Sequence, residues 1–219
     1  MKHGDSGWTR AERKLLAGLR SPAAIQDFLD ATTYSSDHFY RSPRRVLRER
    51  VAHCADGAMF AAAALRELGH RALIVDLVAE RDDDHLLAVY RLRGCWGAVA
   101  KSNFVGLRYR EPIHRSIREL ALTYVEAYYN MDGEKSLRGY SLPFDLGRFD
   151  ALGWTTREEN LDELIGELDH VRHFPLLTPA QRRGLRPMDR RSFEGYMHGT
   201  RMEGVYFPPP RGRAKRSAR

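Results

Sequence analysis

The 219-residue chain has two cysteines, and one of them stands where a thiol can become a nucleophile. Cys54 follows His53 in RVAHCADGAMFAAAAL (50–65), at the start of an alanine-rich segment with the composition of a helix. Amides at a helix N-terminus lack partners inside the helix, and the peptide dipoles leave partial positive charge there, so a thiol at that place is biased toward thiolate. A thiolate that attacks an acyl carbon also needs an imidazole to take its proton and return it to the leaving group. His85, directly after the acidic run Asp82, Asp83 and Asp84, opens the apolar segment HLLAVYRLR and can supply it. A third polar group, holding the imidazole, belongs on the strand that follows.

To meet, these residues need a helix, a return strand and a neighbouring strand. Residues 9–19 and 21–32 read as two short helices, the second with Ser21 as N-cap and Pro22 at the first helical position. Ser42 and Pro43 repeat that signature, and the alanine-rich segment runs to Leu68 with Gly69 as its stop. The period then changes: 72–80, 85–93 and 95–102 read as three strands. SIRELALTYVEAYYN (116–130) carries an apolar stripe at helical spacing, and Thr156 with Glu159 spells a capping box before NLDELIGELDHV. The order predicts an α+β fold, a central helix on a small antiparallel sheet with further helices flanking it. It divides into an N-terminal helical flank (1–40), a main domain (41–175), an irregular or helical extension (176–207) and a basic tail (208–219).

HCADGAMFAAAALRELGH, then DDDHLLAVYRLRG, then CWGAVAKSN resemble the core of the transglutaminase-like superfamily, over about residues 40–104. The resemblance is to an uncharacterised bacterial subgroup. It implies a papain-like architecture and acyl transfer or amide hydrolysis, with Cys54 as nucleophile, His85 as its partner and a peptide, protein or small amide or acyl compound as substrate. Where the family carries an aspartate this chain has Ala100, which cannot orient an imidazole. The nearest polar residues are Ser102 and Asn103, and Asn103 matches the role asparagine has in papain-like cysteine proteases. The alternative is a catalytically inactive binding or scaffolding module on the same fold. Trp96 is expected to shield the site. Lys101 and Arg108 are expected to meet an acidic or phosphate-bearing substrate group, unless they pair with surface acids instead.

No cofactor or metal centre is expected. The run 82–84 lacks a glycine-centred twelve-residue loop ending in glutamate and reads as a solvated turn, and His53, Cys54, His85 and Cys95 show neither CxxC nor HxxxH spacing. The longest apolar run, AMFAAAAL, has eight residues against the roughly 20 that span a bilayer, so no membrane partner is expected. Two cysteines and no secretory pattern at the start point to the cytoplasm. The net charge is +7, and five of the cations (Arg211, Arg213, Lys215, Arg216 and Arg219) stand in the last twelve residues without an acid. Any contact with nucleic acid is therefore expected through the tail.

Overall fold

Helix starts along the first third of the chain follow from capping chemistry. Thr9 and Glu12 form a capping box that opens α1 (Arg10–Gly18), and Ser21 with Pro22 opens α2 (Pro22–Asp30). A two-residue strand, β1 (Thr33–Tyr34), leads to Ser42, which caps α3 (Pro43–Glu49). Arg50, at φ 56°, ends that helix in the left-handed region and turns the chain into β2 (Val51–Ala52), which pairs in parallel with β1. The computed structural model of the chain describes residues 7–210, so most of the basic tail expected at 208–219 lies outside the described residues.

The alanine-rich segment is α4 (Cys54–Glu67), and its residues from Ala55 to Leu65 are all buried. A helix apolar on every side is a core helix, and alanine lets neighbours approach it closely while favouring the helix itself. Three antiparallel strands follow: β3 (Leu73–Ala79), β4 (His85–Leu92) and β5 (Cys95–Val99).

The sheet is wider than the three strands expected. It continues through β6 (Arg110–His114), β7 (Leu137–Ser141), β8 (Phe144–Asp145) and β9 (His173–Pro175), in the order β6-β5-β4-β3-β7-β9 with β8 also on β3, and every pairing is antiparallel. The fold is therefore mixed α+β around a seven-stranded sheet. Ile74, Leu86, Ala88 and Tyr90 face α4, and Leu73, Val75, Leu87 and Val89 face a second core built by residues 107–129 and Tyr196. Strands buried on both faces read as continuous apolar runs, as 72–80 and 85–90 do.

Two expected helices are cut short. The stretch 116–130 gives only α5 (Ile117–Leu122): the Thr123 hydroxyl donates to the Leu120 carbonyl at 2.7 Å, and Val125–Ala127 tightens into a 3₁₀ turn before Tyr128 becomes extended. The Thr156–Glu159 box does not form; α6 (Asp162–Gly166) starts after Leu161 with no side-chain cap, and Glu159 pairs with Arg157 instead. The extension beyond it is helical in part, with α7 (Pro179–Gly184) and α8 (Arg190–Tyr196). Among the described residues no helix is long and apolar enough to cross a membrane.

Gly57, one turn into α4, is required by a close approach. A Cβ there would lie 2.1 Å from Lys101 Cβ, an atom next to the main chain that cannot swing away. Gly57→Ala should therefore lower stability by about 3 kcal/mol, although alanine is the better helix former, because overpacking costs more than propensity returns. Urea unfolding measures it, and a variant as stable as the parent would refute this account of the contact.

Candidate active site

Cys54 is the first residue of α4, and the groups that fix it begin one residue earlier. His53 is the N-cap: its Nδ1 accepts from the amides of Ala55 (3.2 Å) and Asp56 (3.4 Å), and its carbonyl accepts from the Gly57 amide at 3.0 Å. Of the four amides that a helix start leaves open, those of His53, Ala55 and Asp56 are satisfied by side chains, the first by Asp56 itself, and among the described residues the Cys54 N–H has no acceptor. A histidine that caps through a lone pair must be neutral, and burial pushes the His53 pKa down to about 4. Asp56, with no exposure, closes the arrangement by accepting from the Arg41 amide at 2.7 Å and the His53 amide at 3.3 Å.

The Cys54 side chain lies against the start of β4. Its thiol donates to the Asp84 carbonyl at 3.9 Å, which sets the sulfur against the main chain just before His85. Cys54 keeps some exposure as a residue, but packing around the sulfur desolvates a thiolate and pushes its pKa up to about 12; the Leu86 amide opposes that shift and Asp83 adds to it. The resting group is a neutral thiol.

His85, paired in register with Leu77, is 4% exposed and falls on the side of Leu87 and Val89. Its Nε2 lies 2.8 Å from the Leu107 carbonyl oxygen, which can only accept. The ring is therefore the Nε2–H tautomer and Nδ1 carries the lone pair. The ring also meets Tyr128 edge-on, at 6.4 Å between centroids, and burial pushes its pKa down to about 4.

Both residues line one cavity of about 570 Å³. Its wall also holds Tyr34, Ser102, Asn103, Leu107 and Tyr128, and the segment Glu203–Tyr206.

The other residues singled out by sequence serve different contacts. Ala100, where the family aspartate is expected, is fully buried, and the Gln26 side chain brackets its main chain, accepting from its amide at 3.1 Å and donating to its carbonyl at 3.0 Å. Ser102 Oγ accepts from the Phe104 amide at 2.9 Å and so shapes the loop that brings Leu107 to His85. Asn103 uses both side-chain atoms on the C-terminal segment: Nδ2 donates to the carbonyls of Arg201 (2.8 Å) and Gly204 (3.1 Å), and Oδ1 accepts from the Arg201 amide (2.9 Å). Among the described residues the ring partner of His85 is thus a main-chain carbonyl rather than Asn103 or Ser102.

Lys101 is buried, its Nζ donating to the carbonyls of Leu29 (2.8 Å) and Thr32 (2.5 Å), and burial pushes its pKa down to about 8. Arg108 pairs with Asp30 at 2.8 Å, and Trp96 lies in β5 with Arg91 over its ring, 5.8 Å from the centroid. None of these three lines the cavity. Cys95 is half-buried at the start of β5.

Two contributors carry little signal in sequence. Leu107 acts through its carbonyl, and no side chain announces that. Tyr128, whose hydroxyl donates to the Asp83 carbonyl at 2.6 Å, is hidden in an apolar stripe that reads as helix.

No family model matches the chain, and no curated protein matches it.

The charge of the cavity is one-sided. Asp37, Asp76, Asp82, Asp83, Asp84, Asp169 and Glu203 line it, with no lysine or arginine among the described residues. Asp37 is paired with Arg41 and Asp76 with His173, while Asp82 accepts from the Ser136 hydroxyl at 2.5 Å. Burial raises the Asp76 pKa to about 6 and the Asp82 pKa to about 7, so the cavity becomes more negative as pH rises through that range. In a Cys95→Ser background, a cationic methanethiosulfonate should modify Cys54 about tenfold or more faster than an anionic one, after normalisation to a free thiol. The preference should grow between about pH 5 and pH 8 as these carboxyls lose protons, and fall in about 1 M salt. Equal normalised rates throughout would remove the electrostatic account.

Proposed function

We propose that the protein is a transglutaminase-like enzyme with a papain-like core, performing acyl transfer or amide hydrolysis through Cys54 with His85 as its base. The observation that carries this reading is the hydrogen bond from His85 Nε2–H to the Leu107 carbonyl, which leaves Nδ1 basic in a ring that shares a cavity with Cys54. The carbonyl takes the place of the side-chain orienter that the family supplies with an aspartate.

In this mechanism the Cys54 S–H gives its proton to His85 Nδ1 as Sγ bonds to the substrate carbonyl carbon. The oxygen takes up the charge and is met by the Cys54 N–H, the one helix-start amide left without an acceptor. Collapse expels the amine or other leaving group, which takes the proton from the imidazolium and leaves a thioester. Water or a second amine then attacks the thioester, losing its proton to His85, and the thiol is restored. The Leu107 carbonyl and the edge of Tyr128 hold the ring through both halves.

The second reading, an inactive binding or scaffolding module, is favoured by one observation: the resting thiol gives its hydrogen bond to the Asp84 carbonyl. The two readings differ in pH dependence. With His85 as base, the reactive pair is a neutral imidazole beside a thiol, which persists from the imidazole pKa of about 4 to the thiol pKa of about 12. Acylation of Cys54 by p-nitrophenyl acetate, in the Cys95→Ser background, should therefore stay level between about pH 5 and pH 9. His85→Ala should lower the rate by about 100-fold and restore an increase of about tenfold per pH unit, the signature of an unaided thiol. A parent protein that already shows that slope, at a rate His85→Ala leaves unchanged, would establish the inactive reading.

A further inference from the structure

We propose that residues 201–206 form a strap that gates the Cys54 cavity, with Asn103 as its latch. The inference rests on the reading of that cavity as the active site, and it adds a control on who enters.

The strap walls the cavity directly: Glu203, Gly204, Val205 and Tyr206 line it together with Cys54 and His85. Gly204 lies flat on Tyr34, a residue of the same wall; a Cβ on Gly204 would meet the Tyr34 ring at 2.7 Å and Asn103 Nδ2 at 3.3 Å.

What holds the strap is narrow. Apart from the backbone turns within it, the hydrogen bonds from 201–210 to the rest of the described chain run to Asn103 and to Arg81, whose Nη2 donates to the Pro209 carbonyl at 3.1 Å. Asn103 alone makes three, gripping one amide and two carbonyls, and its own carbonyl accepts from the Thr200 hydroxyl at 3.1 Å. Apolar burial anchors the segment only weakly: Met202 is 51% exposed, Val205 is only half-buried, and the neighbouring Phe207 is 60% exposed. A segment fixed by a few hydrogen bonds and little buried apolar surface belongs to the low-stability end of a structure and opens without the core opening.

The latch is also sensitive to one atom. Replacing the Asn103 amide nitrogen with a carboxylate oxygen would set negative charge against the carbonyls of Arg201 and Gly204 while leaving the Arg201 amide its acceptor. Asn103→Asp should thus release the strap as well as Asn103→Ala does, and Gly204→Ala should displace it by contact with Tyr34.

The experiment compares two uncharged thiol reagents on the full chain carrying Cys95→Ser, small iodoacetamide and a bulky N-substituted maleimide, alongside hydrogen exchange. In Asn103→Asp and Gly204→Ala, exchange should rise in 201–206 and stay unchanged in α4 and β4. The ratio of bulky to small labelling rates at Cys54 should rise about fivefold or more, of the order expected from losing a few net hydrogen bonds. Faster exchange in the strap with an unchanged ratio would overturn the gate, and so would equal acceleration of both reagents, which marks general loosening. Unchanged exchange in both variants would overturn Asn103 as latch. Because the ratio reads access to the sulfur and not turnover, it stands apart from the pH profile that tests His85 as base.

Discussion

A carboxylate with no exposure, Asp56, decides where the sulfur of Cys54 sits. Burial pushes its pKa up to about 7 in spite of two amide donors and the Arg41 guanidinium at 3.4 Å. Desolvating such a group is offset only when its lone pairs are used, and here they are used to tie loop 35–41, the cap residue His53 and the first turn of α4 into one unit. The helix cannot rotate or slide without breaking that unit, so the residue before Asp56 by two positions is held against β4.

The same burial that gives the site its geometry sets its resting chemistry. A thiol pushed up to about 12 and an imidazole pushed down to about 4 in the same cavity are both neutral at rest, because neither charge is solvated well enough to persist alone. In the proposed mechanism the proton moves only as the new carbon–sulfur bond forms, when the developing oxyanion has the Cys54 amide to meet it. A low-dielectric site strengthens that contact for the same reason that it disfavours the free thiolate.

Most local signals in the sequence match the structure, the Thr156–Glu159 capping box excepted. Ser21 with Pro22, Ser42 with Pro43, and Gly69 at φ +88° after α4 are where side-chain caps and a left-handed turn demand those residue types. Elements whose existence depends on distant partners were not readable. Strands β6 to β9 are short and half-polar and become strands only beside β5, β3 and β7, while the apolar stripe of 116–130 serves a core that the chain reaches partly as helix and partly as 3₁₀ turn and extended backbone. The candidate pair, Cys54 and His85, was visible because both lie at element starts. The Leu107 oxygen that meets the His85 ring is not legible there, because a carbonyl has no letter in the sequence. Asn103 looked like the ring's partner by type and position, yet its amide is committed to a segment nearly 100 residues away.

The cations near the candidate site explain why its cavity is acidic. Lys101 and Arg108 follow the strand that borders the site, where sequence places them ready for an anionic substrate, but both turn to α2 instead. Lys101 reaches the carbonyls of Leu29 and Thr32 at the end of that helix, where unpaired acceptors and the negative end of the dipole favour a cation. Its stem passes over Gly57, and Gln26 grips Ala100 beside it, so the end of β5 is fixed to α2 and α4 together. The loop that presents the Leu107 carbonyl begins at that fixed end. Positive charge is thus spent on holding the imidazole's partner in place, and the cavity in front of Cys54 is left to carboxylates.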